Sequence, residues 1–298
     1  MKFLVTGVCG QLGYDVMREL IKRGHDCVGS DIAPVCDNID APYIQVDITD
    51  KSSVESAFIS EKPEVVVHCA AWTAVDAAEE PENAERAKAI NVDGTKNIAE
   101  VCKTLDCKMI YISTDYVFDG QGVEPRNADC ESFAPINVYG KTKLGGEEAV
   151  KALLEKYFIV RIAWVFGANG KNFIKTMLSL GEKYESLRVV CDQIGTPTYT
   201  YDLARLLVDM GESEKYGCYH ATNEGGFISW YDFACEIFCQ SGKSTKVIPV
   251  TTAEYGLSKA ARPFNSRLDK SKLIISGFEP LPSWQDALSR YLTEIGVN

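Results

Sequence analysis

Three glycines directly after the first apolar segment place the strongest constraint on how this chain can fold. The segment "KFLVT" (Lys2–Thr6) leads into "GVCGQLG", in which Gly7, Gly10 and Gly13 are spaced three residues apart. A helical pattern of apolar residues follows. Glycines at such a place permit a tight turn and a close backbone approach, so that the helix N-terminus can face a pyrophosphate. A plain strand–helix connection is the simpler alternative for a glycine-rich turn. The residues that follow the turn must distinguish it from a pyrophosphate-binding turn.

An acidic residue lies where a dinucleotide site needs one. Asp31 ends the second apolar segment, "DCVGSD" (Asp26–Asp31), about 20 residues beyond the glycines, where an acid can bind ribose hydroxyls. The same charge would repel the additional 2′-phosphate of NADP. The sequence therefore predicts a dinucleotide site that favours NADH over NADPH. A helix or turn cap is the alternative role for Asp31.

Continuous apolar segments alternate with helical stretches through the first part of the chain. Further strands are expected at residues 43–47, 65–71, 109–114 and 158–164, with long helical stretches around 81–105 and 138–156. This alternation is typical of a parallel sheet covered on both faces. The sequence thus predicts an α/β fold: a Rossmann-type, doubly wound parallel sheet over residues 1–166. The looser pattern of 167–298 predicts a smaller C-terminal α/β substrate domain, from which the chain can cross back to the first.

The composition of the chain limits which binding partners and which cellular location are expected for the protein. The formal net charge of −11 argues against broad binding to nucleic acid or to anionic membranes. No run of 18 apolar residues and no signal-peptide pattern occurs, so a cytoplasmic protein is expected. The eleven cysteines are odd in number and form no Cys-x-x-Cys pair. Reduced, mostly buried thiols are therefore expected, without a metal site.

A tyrosine and a lysine four residues apart occur in "NVYGKTK" as Tyr139 and Lys143, and Thr114 ends an earlier predicted strand. Reduction of a ketone requires a hydride donor and a proton for the developing alkoxide. A free tyrosine has a pKa near 10, and a lysine one helical turn away favours its phenolate form. Thr114 could hydrogen-bond the substrate oxygen and help to polarise the carbonyl. Taken separately, the three residues also fit a helix face, a solvated lysine and a strand end.

Together, the glycine spacing and the segments "HCAAWT", "YISTDYVFDG" and "NVYGKTK" resemble the extended short-chain dehydrogenase/reductases. The resemblance implies a catalytic triad of Thr114, Tyr139 and Lys143, in which threonine replaces the more usual serine. It also implies that "HCAAWT" lies along the cofactor. The implied cofactor-binding residues are Gly7, Gly10, Gln11, Leu12, Gly13, Asp31, Asp47, Ile48, Ala70, Ala71, Trp72, Tyr139 and Lys143.

A narrower resemblance is carried by "STDYVFDG", "DQIGTPT" and "ARPFNSRL", which are similar to segments of the dTDP-4-dehydrorhamnose reductase family. This implies NAD(P)H-dependent reduction of the C4 ketone of dTDP-4-dehydro-β-L-rhamnose, the last step of dTDP-rhamnose biosynthesis. It implies substrate contacts from Thr114, Asp115 and Trp164, although a core aromatic is the alternative for Trp164. Arg262 is a candidate for the diphosphate because a planar guanidinium suits phosphate oxygens; a surface salt bridge is its alternative.

Other functions remain compatible with the sequence. A nucleotide-sugar 4-epimerase or a reductase of another deoxysugar would keep the same triad, and a non-catalytic, nucleotide-binding regulatory subunit could keep the fold. The family resemblance implies a monomer or a homodimer. It leaves a magnesium ion at a dimer interface possible, but the sequence assigns no ligands to it.

Overall fold

The computed structural model of the chain describes residues 1–36 and 39–297. In this part the strands are β1 (Lys2–Thr6), β2 (Asp26–Asp31), β3 (Tyr43–Gln45), β4 (Val65–His68), β5 (Lys108–Thr114), β6 (Tyr157–Ile162), β7 (Val165–Phe166), β8 (Ser186–Val190), β9 (Ile194–Gly195), β10 (Thr198–Tyr199), β11 (Gly217–His220), β12 (Ile228–Ser229) and β13 (Lys246–Val250).

The helices in the described part of the chain lie between these strands and after them. They are α1 (Gln11–Lys22), α2 (Lys51–Glu61), α3 (Pro81–Lys88), α4 (Thr95–Leu105), α5 (Val138–Leu153), α6 (Phe173–Gly181), α7 (Thr200–Glu212), α8 (Trp230–Gln240), α9 (Thr252–Tyr255), α10 (Ser271–Ile275) and α11 (Trp284–Glu294). A π-helical turn, Ala89–Gly94, joins α3 to α4, and a 3-10 turn, Asp115–Val117, follows β5. Among the described helices, none has the length and apolar character needed to cross a membrane.

Seven strands form one parallel sheet in the order β3-β2-β1-β4-β5-β6-β11. The predicted doubly wound parallel sheet is confirmed. The strand order reverses between β1 and β4, and ligands bind at the carboxyl ends of the strands beside such a reversal. The glycine turn follows β1 and the "HCAAWT" segment overlaps the end of β4, so both lie at this reversal.

Burial on both faces explains why the strands are apolar throughout. Successive side chains of β1 enter opposite cores: Phe3 and Val5 face the core beneath α1 and α7, and Leu4 faces the core beneath α2, α4 and α5. A strand alternates its side chains between the two faces of a sheet, so a doubly covered strand has no polar face.

Three strand predictions extended too far. The strand expected at 43–47 ends at Gln45, the one expected at 65–71 ends at His68, and the one expected at 158–164 ends at Ile162. Beyond His68 and Ile162 the backbone leaves the sheet, since Ala70 N donates to the Thr6 hydroxyl (3.3 Å) and Trp164 has a φ of +52°. Apolar composition therefore continued past the strand ends into the loops that form the carboxyl edge.

The C-terminal part builds a third core from α6, α8 and α11, joined by the paired strands β8 and β13. Two of its segments return to the first part of the chain. Helix α7 packs against α1, and β11 extends the main sheet by pairing with β6. The boundary between residues 1–166 and 167–298 stays a prediction.

Candidate active site

The turn after β1 leaves no room for side chains at Gly7 and Gly13. Gly7 has a φ of +72°, and a Cβ there would lie 2.5 Å from the Ala70 nitrogen. A Cβ on Gly13 would lie 2.3 Å from the Gly7 carbonyl oxygen. Gly10 N donates to that same oxygen at 3.1 Å, and among the described residues no side chain caps the start of α1. The first amides of α1 are thus available to an anion.

Gln11 and Leu12 begin α1, and their side chains have different surroundings. Gln11 Oε1 accepts hydrogen bonds from Gly167 N (2.9 Å) and Asn172 Nδ2 (3.1 Å), and Leu12 belongs to the core beneath α1. The Leu12 side chain is therefore buried, whereas Gln11 links the glycine turn to the segment after β7.

Asp31 stands at the carboxyl end of β2, beside the glycine turn. Its Oδ2 accepts from Cys9 N at 3.0 Å and its Oδ1 from Ile32 N at 2.8 Å. The carboxylate therefore does cap local backbone, as the alternative interpretation expected. A carboxylate has about four lone-pair sites, so acceptor capacity for a ribose remains.

Asp47 and Ile48 lie in the turn after β3. Asp47 Oδ1 accepts from Thr49 N (2.9 Å) and from the Thr49 hydroxyl (2.7 Å). The Ile48 side chain is buried against the helix that begins after Gly94. Asp47 thus stabilises its own turn, and Ile48 fastens that turn to the start of α4.

The segment Ala70, Ala71 and Trp72 runs past the glycine turn and is anchored by Asn91. Trp72 N donates to Asn91 Oδ1 at 2.8 Å, and Asn91 Nδ2 donates to the Trp72 carbonyl at 3.2 Å and to the Thr142 hydroxyl at 3.0 Å. Asn91 thus links this loop to α5 at the residue beside Lys143.

Thr114 and Tyr139 are brought together by two adjoining turns. Thr114 ends β5 and accepts a hydrogen bond from Tyr116 N (3.3 Å). Asn137 caps α5 through Gly140 N (2.8 Å), and a Cβ on Gly140 would lie 2.3 Å from the Tyr116 carbonyl oxygen. The start of α5 therefore packs directly on the turn after Thr114, and the Tyr116 and Tyr139 rings meet edge-on at 5.5 Å.

The ionisation of the two helix residues is set mainly by burial. Burial raises the pKa of Tyr139 above its ordinary value, and the Thr114 side chain acts in the opposite direction. Burial lowers the pKa of Lys143 to about 7, against a raising effect of the Glu147 carboxylate. Lys143 Nζ lies 4.1 Å from the centre of the Tyr111 ring. The pKa of Tyr139 is therefore raised overall, opposite to the lowering that a neighbouring ammonium group alone would cause.

Asp115 presents an unused acceptor inside the site. Its Oδ1 accepts from the Thr114 hydroxyl at 3.0 Å, whereas Oδ2 is buried without a hydrogen-bond partner among the described residues. Burial raises the pKa of this carboxyl to about 6, against the lowering effects of the nearby Ser266 and Thr114 side chains. Buried polar atoms are rarely left unpaired in native proteins, so Oδ2 is a candidate contact for a ligand donor.

Trp164 follows β6 at the carboxyl edge in the left-handed backbone region, with a φ of +52°. Its ring stacks on Trp230 at 3.8 Å, and a Cβ on Gly195 would lie 2.8 Å from it. The indole is half-buried between the two parts of the chain. A bulky residue with positive φ is uncommon and often marks a functional site.

Arg262 approaches the same region from the C-terminal part. Its Nη1 donates to the Tyr116 hydroxyl at 3.3 Å, its Nε to Ser258 Oγ at 3.2 Å, and its Nη2 to Asp76 Oδ2. The salt bridge expected as an alternative is therefore present. Arg262 nevertheless also contacts Tyr116, the residue whose ring packs against Tyr139.

Comparison with known proteins agrees with this geometry. A family profile described as "RmlD substrate binding domain" matches residues 1–297. The chain is 39% identical to the dTDP-4-dehydrorhamnose reductase of Streptomyces griseus, over 97% of this chain and 92% of that protein. The chain belongs to the dTDP-4-dehydrorhamnose reductase family.

Solved structures of the family have the same fold. A dTDP-4-dehydrorhamnose reductase from Clostridium acetobutylicum is 41% identical with a TM-score of 0.90, covering 99% of each chain. The reductase from Bacillus anthracis, solved in complex with NADP, is 39% identical with a TM-score of 0.90, covering 98% of this chain and 99% of that one.

In this member of the dTDP-4-dehydrorhamnose reductase family, a buried ion pair connects the helix that carries Lys143 to the sheet. Arg161 binds Glu147 through Nε (2.8 Å) and Nη2 (2.7 Å), and Ser113 Oγ donates to Glu147 at 2.6 Å. Glu147 therefore ties β5 and β6 to the helix that carries Lys143. Neither this pair nor Asn91 was predicted. The four-residue spacing of Lys143 and Glu147 on α5 was the available signal for the former.

The described residues contain no group of three or more His, Cys, Asp or Glu side chains arranged to hold a metal ion. The possible magnesium ion of this reductase family consequently has no ligand set assigned in this chain. The oligomeric state also stays a prediction.

Proposed function

We propose that this protein reduces the C4 ketone of dTDP-4-dehydro-β-L-rhamnose with NADH or NADPH and forms dTDP-L-rhamnose, the last step of dTDP-rhamnose biosynthesis. The observation that carries the proposal is the joint arrangement of Thr114, Tyr139 and Lys143 beside the glycine turn, in a chain of this reductase family. Such a site needs no covalent intermediate, because hydride and proton transfer complete the reaction.

The residues present fit a nicotinamide dinucleotide. A Cβ at Gly7 or Gly13 would fill the turn, and the uncapped amides of α1 suit a pyrophosphate. Gly10 and the backbone of Gln11 and Leu12 complete this turn. The remaining proposed contacts to the cofactor are Asp31, Asp47, Ile48, Ala70, Ala71, Trp72, Tyr139 and Lys143. When bound, the reduced cofactor supplies the hydride.

Tyr139 is the proposed proton donor to the C4 oxygen. Its pKa is raised by burial, so the phenol is protonated at neutral pH and holds the required proton. An alkoxide is far more basic than a phenolate, which makes the transfer downhill. Thr114 would donate a hydrogen bond to the same oxygen after its hydroxyl turns from Asp115 Oδ1. Lys143 in its ammonium form would stabilise the phenolate left on Tyr139 and bind the nicotinamide ribose.

Three side chains are proposed to bind the sugar nucleotide. Asp115 Oδ2 is a buried acceptor for a sugar hydroxyl, and paired there it would no longer lack a partner. Trp164, already stacked on Trp230, offers an apolar face at the carboxyl edge. Arg262 offers its guanidinium to the diphosphate.

A direct assay tests the proposal. Purified protein is expected to oxidise NADH or NADPH only when the 4-keto sugar nucleotide is added, with dTDP-L-rhamnose as the product. No turnover under conditions in which a known reductase works would refute it. Protein that retains tightly bound NAD and interconverts C4 epimers without added reductant would indicate the epimerase instead. A stable complex with a synthetase and no reductase activity would indicate the regulatory subunit.

Cofactor choice is expected to depend on Asp31. Residues 31–42 contain no lysine or arginine to receive a 2′-phosphate, so we expect a higher kcat/KM with NADH than with NADPH. Asp31→Asn removes the charge and keeps one acceptor oxygen. It should narrow the preference by about tenfold, the scale of one screened charge repulsion. Asp26→Asn, at the exposed start of the same strand, is the control. Wild-type preference for NADPH would show that Asp31 does not face the 2′ position.

Thr114→Val tests the hydroxyl without changing side-chain shape. The substitution removes one hydrogen bond to the developing alkoxide but leaves the proton source, so kcat should fall by about ten- to a hundredfold. NADH affinity, measured by fluorescence titration, should stay the same. An unchanged kcat would remove Thr114 from the proposed triad.

A further inference from the structure

The Asp76 carboxylate holds the segment that carries Arg262. Asp76 Oδ1 accepts hydrogen bonds from Lys259 N (3.1 Å) and Ala260 N (3.0 Å), and Oδ2 accepts from Arg262 Nη2. Asp76 lies in the loop after β4 and is far from this segment in sequence. One side chain therefore fixes both the backbone and the guanidinium of a segment that comes from the C-terminal part of the chain.

The contacts of Arg262 orient its guanidinium and leave part of its N–H donors unpaired among the described residues. Its Nε, Nη1 and Nη2 each donate one hydrogen bond, to Ser258, Tyr116 and Asp76 respectively. A guanidinium has five N–H donors. Two donors thus have no protein acceptor in the described part of the chain. A planar group with free donors and a fixed orientation is suited to phosphate oxygens.

The fixed segment also reaches the catalytic helix. Asn137, which caps α5 two residues before Tyr139, donates through Nδ2 to the Ala261 carbonyl at 2.8 Å. Val138 N donates to Glu79 in the turn that follows Asp76 (2.8 Å). The Asp76 loop, the Arg262 segment and the start of α5 consequently form one hydrogen-bonded junction beside the site.

We propose that Asp76 is a positioning residue that orients Arg262 for the diphosphate of the nucleotide sugar. The proposal rests on the proposed function, because that function supplies a diphosphate-bearing substrate. Asp76 acts through Arg262 and the amides of residues 259 and 260, and it takes no part in proton or hydride transfer. Its loss should weaken nucleotide binding and leave the chemical step and the cofactor site intact.

A neighbouring ion pair provides the matched control. Lys259 Nζ binds Glu80, which lies in the same loop as Asp76 and joins the same two segments of the chain. This pair is exposed and does not touch Arg262. Glu80→Gln therefore removes a surface connection without changing the orientation of the guanidinium, and exposed pairs contribute little.

Titration of the NADH-bound enzyme with dTDP by calorimetry tests the proposal. Asp76→Asn removes the charge and leaves one acceptor oxygen for two backbone amides and the Arg262 guanidinium. The dissociation constant of dTDP should therefore rise about tenfold, the effect of losing one charge-assisted hydrogen bond. The KM for the 4-keto sugar nucleotide should rise similarly, while kcat and NADH affinity change less than about threefold. Glu80→Gln should match wild type in every measurement.

A double-mutant cycle separates positioning from general damage. In an Arg262→Gln background, Asp76→Asn should weaken dTDP binding no further, because the group it orients is already gone. Equal dTDP affinity in wild type and Asp76→Asn, or a full additional loss in the Arg262→Gln background, would overturn the proposal. If dTDP binds the wild type more tightly than Asp76→Asn but the wild type reduces no 4-keto sugar, the positioning role of Asp76 is supported and the proposed function is refuted. Wild type that binds no dTDP would overturn both.

Discussion

Tyr139→Phe is expected to lower kcat by about 10²–10⁴-fold, the usual contribution of general acid catalysis. The substitution keeps the ring and its edge-on contact with Tyr116, so folding should be preserved. It removes the only proton that the side chain can transfer. The affinity for NADH should change little, because the hydroxyl makes at most one of many cofactor contacts. Steady-state kinetics with saturating sugar nucleotide and a separate NADH titration measure the two effects.

The control for this variant is Tyr184→Phe, since Tyr184 is 57% exposed and lies outside the site. It should retain wild-type kcat. The proposed role of Tyr139 predicts an ordering as well as a loss: Tyr139→Phe should be slower than Thr114→Val. A Tyr139→Phe enzyme with near-wild-type kcat, intact folding and intact NADH binding would show that the tyrosine is only part of a helix surface.

The features that could be predicted from sequence are those fixed by local spacing. Gly7, Gly10 and Gly13 are recognisable because a strand–turn–helix unit needs small residues at defined intervals. Tyr139 and Lys143 share a helix, and four-residue spacing places them on one face wherever that helix lies. The parallel sheet was predictable because strands buried on both faces carry apolar residues continuously.

The features that could not be predicted depend on contacts between distant segments. "INVDG" reads as an ordinary helix interior, yet Asn91 lies in a π-helical turn and links the Trp72 loop to α5. The apolar pattern of β6 continues through Trp164, so the sequence does not indicate its left-handed backbone. In the structure this backbone occurs together with packing of the indole against Trp230 and Gly195. For Gln11 and Leu12, the resemblance implies cofactor contacts, but the sequence does not indicate that the Gln11 side chain binds Gly167 and Asn172 or that Leu12 is buried.

Lys143→Met is expected to damage both catalysis and cofactor binding. Methionine keeps the length and burial of the side chain but removes the ammonium group. The proposed role of Lys143 gives it two functions, stabilising the Tyr139 phenolate and donating to the nicotinamide ribose. We therefore expect kcat to fall by at least about 10²-fold and the NADH dissociation constant to rise by about ten- to a hundredfold, the effect of losing a charged donor. Lys141→Met, exposed on the same helix, is the control.

The pH dependence of NADH binding distinguishes this role from simple packing. Burial lowers the pKa of Lys143 to about 7, so the free enzyme carries the ammonium form below that pH and loses it above. If the ammonium donates to the ribose, the affinity of wild type for NADH falls as the pH rises through about 7, and binding at higher pH takes up a proton. Calorimetric titrations in buffers of different ionisation enthalpy measure that uptake. In Lys143→Met the uptake should disappear and the affinity should become flat with pH. The same proton uptake in the variant as in wild type would assign the titration to another group and leave Lys143 without its proposed contact to the cofactor.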